Sequence, residues 1–292
     1  MINGIICVNK ETGYTSHDVV AKLRGILGQK KIGHTGTLDP NATGVLPVCL
    51  GNATKLVDML TDTDKEYQAT LLLGVTTDTE DIWGKELFRK EVTVGAEEVF
   101  RAVMSFAGTY MQVPPMYSAK KVDGKKLYEL AREGRVIERK PREVTIKKIE
   151  IIMIQLPYVR FSVTCSKGTY IRSLCRDIGE RLGVGGCMSE LTRTRVGRFT
   201  LSDAVKLSDI EKAHDAGTTD SIVVPTDSFF EDLAAYYSTE SDEKLIRNGN
   251  PFSADYIGDR IRVYRNGVFA GIYQYDGENG LYRAIKMFQN GE

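Results

Sequence analysis

The order of apolar and polar positions predicts alternating strands and helices. Apolar runs at GIICVN (4–9) and 46–50, and the alternation of Tyr67, Ala69, Leu71 and Leu73 in YQATLLLG, predict strands with one buried face. Val19, Val20, Leu23, Ile26 and Leu27 recur at helical spacing after Thr15-Ser16 and stop at Gly28. A second helix is predicted over 96–107, with Val99, Phe100, Val103 and Phe106 on one face and Gly108 as its stop. VTIKKIEIIMI (144–154) and YVRFSVTC (158–165) form an expected antiparallel pair, the latter turning Val159, Phe161, Val163 and Cys165 inward. Thr169 is then expected to cap a helix with the inner stripe Ile171, Leu174, Cys175, Ile178 and Leu182, leaving Arg172, Arg176 and Arg181 off it.

Between 111 and 142 the pattern breaks. QVPPMYSAKKVDGKK is rich in Pro, Gly and Lys and is followed by one short helical piece, LYELARE; an excursion of this length predicts a lid or binding loop. Near the end, Asn266-Gly267 between alternating segments is a hairpin signal, and LYRAIKMF adds a third strand. The reading is an α+β fold with a mixed, mostly antiparallel sheet, flanking helices and a basic insertion at about 111–142. A domain over 1–229 and a small β module over 230–292 are expected.

Composition is that of a globular chain: 292 residues, 42% apolar and 27% charged. No apolar run is long enough to span a membrane and no leader is visible, so a cytoplasmic protein is expected. Five scattered cysteines without a C-x-x-C pair, beside three histidines, imply a reducing compartment and no structural metal. Cys165 and Cys175 fit as buried small hydrophobes.

Net charge is zero, which alone argues against a nucleic-acid partner. Its distribution argues otherwise. Residues 119–148 carry eleven Lys/Arg against five Asp/Glu, residues 160–198 eight against three, and residues 203–243 two against eleven. Two basic blocks flanking a predicted strand pair fit a one-sided polyanion surface, although any single run fits a solvated face as well.

The stretch KKIGHTGTLDPNATGVLPV (30–48) places Gly, Pro and Asp-Pro where a short turn would suffice. It matches neither G-x-x-x-x-G-K-[ST] nor G-x-G-x-x-G, so a nucleotide-phosphate loop is excluded. By spacing alone Asp39 reads first as a turn residue and His34 as a hydrogen-bonded scaffold residue.

This stretch resembles the block around the catalytic aspartate of bacterial tRNA pseudouridine-55 synthases. VNKETGYTSHDVV (8–20), KEYQATLLLGVTTDTED (65–81), QVPPMYSAKKVDGKKLYELAREG (112–134), CSKGTYIRSLCRDIGERLG (165–183) and ELTRTRVGRF (190–199) resemble further blocks of that family, in its order. The resemblance implies the pseudouridine synthase fold and a C-terminal module similar to a PUA domain. It implies isomerisation of uridine 55 in the tRNA T-loop, without cofactor, metal, guide RNA or obligate protein partner, by a monomer. In these blocks Asp39 corresponds to the catalytic carboxylate, His34 to a residue touching the flipped nucleotide and Tyr67 to the aromatic that stacks on the base. Tyr170 corresponds to a tyrosine against the uracil, Arg172 to the partner of the aspartate and Leu191 to an apolar contact. Lys10 fits a substrate contact or a structural role equally.

The chemistry asks for the same residue types. Moving uracil from nitrogen to carbon attachment needs a group that attacks or takes a proton, and a carboxylate does either. Attack on the base, attack on the sugar and abstraction of a sugar proton all remain open for Asp39. An arginine beside it would hold its charge and orient it. The base must leave its loop to be reached, and an aromatic face such as Tyr67 can receive it, although Tyr67 also fits an inward strand position. Lys120, Lys121, Lys125, Lys126 and Arg132 are candidate phosphate contacts in a clamp on the T-arm. A non-catalytic tRNA-binding or RNA-folding chaperone is the competing reading.

Overall fold

The computed structural model describes residues 1–118, 121–122, 124–135 and 137–289. The chain enters as β1 (Gly4–Lys10) and α1 (Ser16–Ile26), returns through β2 (Ile32–His34) and β3 (Thr43–Leu50), and after α2 (Val57–Thr61) forms β4 (Lys65–Leu73). A hairpin of β5 (Val75–Thr77) and β6 (Glu86–Arg89), then α3 (Ala96–Met104) and β7 (Gly108–Gln112), lead to the insertion with β8 (Lys121–Val122), β9 (Lys125–Lys126) and α4 (Leu127–Arg132). The long strands β10 (Arg142–Gln155) and β11 (Tyr158–Cys165) precede α5 (Ile171–Arg181), β12 (Gly186–Val196), β13 (Phe199–Thr200) and α6 (Leu207–Asp215). Last come β14 (Ala234–Tyr237), α7 (Glu243–Arg247), β15 (Arg260–Arg265), β16 (Val268–Asp276) and β17 (Leu281–Met287).

The main sheet runs β1-β3-β12-β4-β11-β10-β7, with β2 beside β3 and β13 beside β12. All its pairings are antiparallel except β3 with β12, which touch in parallel only at Thr43–Thr192 and Gly44–Arg193. The residues before Thr43 leave the sheet as the 35–42 loop. Farther along the same edge of β12, the segment after β5 takes the vacant place: Met188 N donates to Glu80 O at 3.0 Å and Ile82 N to Met188 O at 2.9 Å. Between these two neighbours, next to Leu191, the sheet is split.

Local chemistry explains most of the expected elements. Thr15 and Asp18 form a reciprocal cap on α1, with the Thr15 hydroxyl accepting the Asp18 N–H at 3.0 Å and the Asp18 carboxylate accepting that of Thr15 at 2.8 Å. Ala69, Leu71, Leu73, Val159, Phe161, Val163 and Cys165 lie on one buried face with Val99, Val103 and Phe106 of the α3 segment and the inner stripe of α5. Two expectations fail. Phe100 is exposed, because the stripe that meets the sheet is Val99, Ala102, Val103 and Phe106, about 100° away around the helix. Thr169 does not cap α5: its hydroxyl donates to Ser166 O, and Tyr170 stands at the cap position. There the buried Gln112 side chain accepts Tyr170 N–H at 2.8 Å and donates to Tyr170 O at 3.0 Å.

The C-terminal sheet is β14-β15-β16-β17, with a parallel β14–β15 pair that periodicity did not reveal. Its β15–β16 hairpin turns at Asn266 and Gly267, both at positive φ (51° and 76°), which the Asn-Gly pair supplies at low cost. Ile272 of this sheet, with Phe230 before it and Phe288 after it, shares one apolar cluster with Ile5, Val45 and Cys49 of the first sheet and with Leu56 beyond β3. All five cysteines are free and buried. Among the described residues no helix is long and apolar enough to cross a membrane.

Candidate active site

The 35–42 loop is held from below by side chains that are almost wholly buried. Lys10 Nζ donates to Pro40 O at 3.0 Å, Ala42 O at 2.7 Å and Glu11 O at 3.0 Å. Ser16 Oγ accepts Leu38 N–H at 2.9 Å, and Arg193 donates through Nε to Val45 O at 2.8 Å and through its terminal nitrogen to Gly36 O at 3.2 Å. Leu38 and Ala42 drop into the same apolar cluster as Leu191, with Tyr67 packed against it. Asp39 lies between them with its side chain 38% exposed, so this acid is open to solvent while both flanks of its loop are fixed.

Arg172, only 6% exposed, meets that carboxylate with a fork: Nε to Oδ2 at 2.9 Å and NH2 to Oδ1 at 3.2 Å. The guanidinium is itself oriented by Thr79 O at 3.0 Å and Tyr117 O at 2.9 Å, and Asp81 lies 3.8 Å away. Burial pushes the Asp81 carboxyl up, opposed by the Thr79 hydroxyl and Arg172. Arg172 is thus off the apolar stripe of α5, as its spacing predicts, and buried nonetheless.

Tyr67 is partly buried and faces Arg193 across the β4–β12 pair, while Leu191 faces Ala69 on the same pair. Burial raises the Tyr67 phenol above its ordinary value, so it is neutral and an uncharged ring borders Asp39. His34 ends β2, its Nδ1 accepting Gly36 N–H at 3.3 Å and its ring edge-on to His17 at 5.4 Å. Burial, with His17 and Arg193 nearby, lowers it to about 4, so it too is neutral at pH 7. Tyr170 is half-buried two residues before Arg172. The structure therefore gathers Asp39, Arg172, Tyr67 and Leu191 around the split beside β12, with His34 at the root of the loop. Of the insertion cations, Lys125 is exposed and 3.6 Å from Glu133. Lys120 and the side chains of Lys121, Lys126 and Arg132 lie outside the described residues.

A family model described as the TruB family pseudouridylate synthase N-terminal domain matches residues 24–171, and one described as the tRNA pseudouridylate synthase B C-terminal domain matches 172–231. The chain belongs to the TruB family of pseudouridylate synthases. The tRNA pseudouridine synthase B of Lachnoclostridium phytofermentans is 52% identical to it, covering 98% of this chain and 100% of that one. That of Clostridium novyi is 51% identical, covering 98% and 96%. A chain in the structure of an H/ACA RNP bound to a substrate RNA containing 2'-deoxyuridine superposes with a TM-score of 0.70 at 26% identity, over 99% of this chain and 86% of that one. A chain of a Cbf5-Nop10-Gar1 complex gives 0.70 at 27% identity, over 98% and 85%.

Within this TruB scaffold, residues given no role from sequence hold the site together. Arg193 is one; an arginine at the same strand parity as buried Leu191 was the available signal. Glu80 is another, buried and accepting from Ser173 at 2.6 Å and from Arg176, with Arg139 of the insertion at 4.0 Å. Through it the insertion, α5 and the β5–β6 turn share one ionic network.

Proposed function

We propose that this TruB enzyme acts on tRNA, converting uridine 55 of the T-loop to pseudouridine with Asp39 as the catalytic carboxylate. The observation that carries this reading is the Asp39–Arg172 fork, half-open to solvent beside the apolar cluster that holds Leu38, Ala42 and Leu191. The glycosidic bond between N1 and C1′ breaks, the uracil turns, and C5 bonds to C1′ while its proton moves to solvent and N1 gains one. The reaction is an isomerisation, with no net oxidant and no group donor. Each route open to the carboxylate demands one oxygen directed at the flipped nucleotide, and a rigid guanidinium fork directs it. Tyr67 stacks on the extruded uracil, Tyr170 and Leu191 close its other sides, and His34, kept neutral, lines the nucleotide's path without adding charge.

The finer assignments rest on the same reading. Residues 1–229, with the insertion at 111–142, form the catalytic domain, and 230–292 a PUA-like RNA-binding domain. Lys120, Lys121, Lys125, Lys126 and Arg132 contact T-arm phosphates. The enzyme works in the cytoplasm as a monomer without guide RNA; supporting this, two relatives named tRNA pseudouridine synthase B are 51–52% identical, against 26–27% for the chains from the H/ACA RNP and the Cbf5-Nop10-Gar1 complex.

The test is incubation with an unmodified tRNA transcript and nucleotide-resolution mapping of pseudouridine. One new pseudouridine at position 55, absent with an Asp39→Asn variant that still binds tRNA, is expected. Undiminished turnover by that variant removes Asp39 from the chemistry; tight binding without product by the wild-type protein makes it a chaperone.

A further inference from the structure

We propose that Trp83 is a stacking platform for a nucleotide that flanks the target uridine. Trp83 is the chain's one tryptophan and is 49% exposed, beside Ile82 at 42%. The turn that presents it, between β5 and β6, is built to hold one shape. Thr77 Oγ1 donates to Asp81 O at 2.6 Å, Thr79 Oγ1 to Asp81 Oδ1 at 2.6 Å, and Trp83 N to that same oxygen at 3.2 Å. Lys85 N donates to Asp78 Oδ1 at 2.7 Å. A Cβ on Gly84 would stand 2.2 Å from Thr79 Oγ1 and 2.4 Å from Asp78 Oδ1, so the turn closes only with glycine there. Glu80 adopts φ +65°, an unfavourable conformation for a residue with a side chain. An apolar ring is thus displayed on a fixed support, and ordering it again on binding has little entropic cost.

The position of the turn identifies what covers the ring. Asp81 offers one oxygen to Trp83 N–H, while the other lies 3.8 Å from Arg172, whose guanidinium forks onto Asp39. Ile82 N donates to Met188 O on β12, three residues before Leu191 on the floor of the site. The turn therefore stands across Arg172 from the Asp39 loop, and Trp83, exposed on that turn, extends the proposed RNA surface. When a uridine is turned out, its neighbours in the strand lose a stacking partner, and an exposed indole restores one without regard to base identity. Tyr67 receives the reacting base; Trp83 receives a neighbour.

This inference rests on the pseudouridine-synthase reading of the site, and the same preparation tests both separately. The full chain is titrated with an unmodified T-arm stem-loop while tryptophan emission and acrylamide quenching are followed. At saturation, emission is expected to change and quenching to fall at least about twofold. Trp83→Ala is expected to raise the RNA Kd about tenfold, with the loss in Kd and not in the rate at saturation, and Trp83→Phe to restore most of it. Unchanged emission and quenching at saturating RNA, or equal Kd values for Trp83→Ala and the wild-type protein, overturn the proposal. So does protection that grows with protein concentration in the absence of RNA, which would assign the surface to a second copy of the chain. Absence of product from wild-type protein with Trp83 protected sinks the catalytic reading and leaves the contact standing.

Discussion

Lys10, Arg172 and Arg193 are three buried cations around one half-open carboxylate. Burial pushes the Lys10 ammonium down to about 8, with Asp39 pulling the other way, so it remains charged at pH 7 while holding three carbonyls. That resolves its two sequence-based roles towards the structural one. His34 carries the clearest pH signature. Its folded value, about 4, lies below the ordinary 6.5, so the unfolded chain takes up the proton first as pH falls. Its contribution to stability is complete above about 6.5 and is lost as pH drops from there through about 4. Urea midpoints measured from pH 7 to 4.5 should therefore fall more steeply for the wild-type protein than for His34→Gln; parallel falls would show that the histidine titrates normally in the folded chain. None of this is legible from the residue alone. His34 and Asp39 fall in a polar stretch of sequence whose spacing fits a turn, and Arg172 is 133 positions away from Asp39 in the chain. Only the ordered family blocks joined them, and the cations that fix the loop, Lys10 and Arg193, reveal their task only where β1 and β12 flank β3.

Among the elements, those with a strong period were legible: α1 with its reciprocal cap, the β10–β11 pair and the Asn266-Gly267 hairpin each follow from neighbours in sequence. Phe100 and Thr169 were misread because the choice between adjacent positions is made by what packs above them, the sheet for one and Gln112 for the other. The parallel contact of β3 and β12 had no local sign, and it is the contact at which the sheet splits beside Leu191. Gly44 makes it possible. At φ +104° a Cβ there would lie 2.2 Å from Arg193 O, a backbone atom that cannot step aside without parting the two strands. Gly28, at φ +60°, has nothing within 4 Å. Gly44→Ala should lower the melting temperature by about 5 °C and reduce turnover by shifting the Asp39 loop, whereas Gly28→Ala adds only the backbone strain of a Cβ at positive φ and leaves turnover unchanged. Thermal unfolding and turnover of the two variants, side by side, decide this; equal losses would mean that the close approach has no bearing on the site.

In the whole molecule, a net charge of zero conceals two poles. The basic insertion is rooted at the β7–β10 end of the sheet, and the acidic 203–243 segment pairs along β1 at the other end through Val8–Val205 and Ile5–Val224. A polyanion is thus drawn to one side and turned from the other. The C-terminal sheet is attached by packing: Phe288 is 2% exposed, 5.2 Å from Phe269 and 5.9 Å from Phe230, in the cluster that contains Ile5 and Cys49. With a shared core of this kind the two sheets should unfold as one unit. Phe288→Ala removes the centre of that core, at a cost of about 3–5 kcal/mol for a buried aromatic, and the cost falls on the junction. Trp83 reports on the first sheet and far-ultraviolet circular dichroism on both. In the wild-type protein the two urea curves should coincide; in Phe288→Ala the dichroism should begin to fall before the tryptophan emission moves. Coincident curves in the variant, shifted together to lower urea, would mean instead that the C-terminal sheet has no stability of its own and folds only against the first.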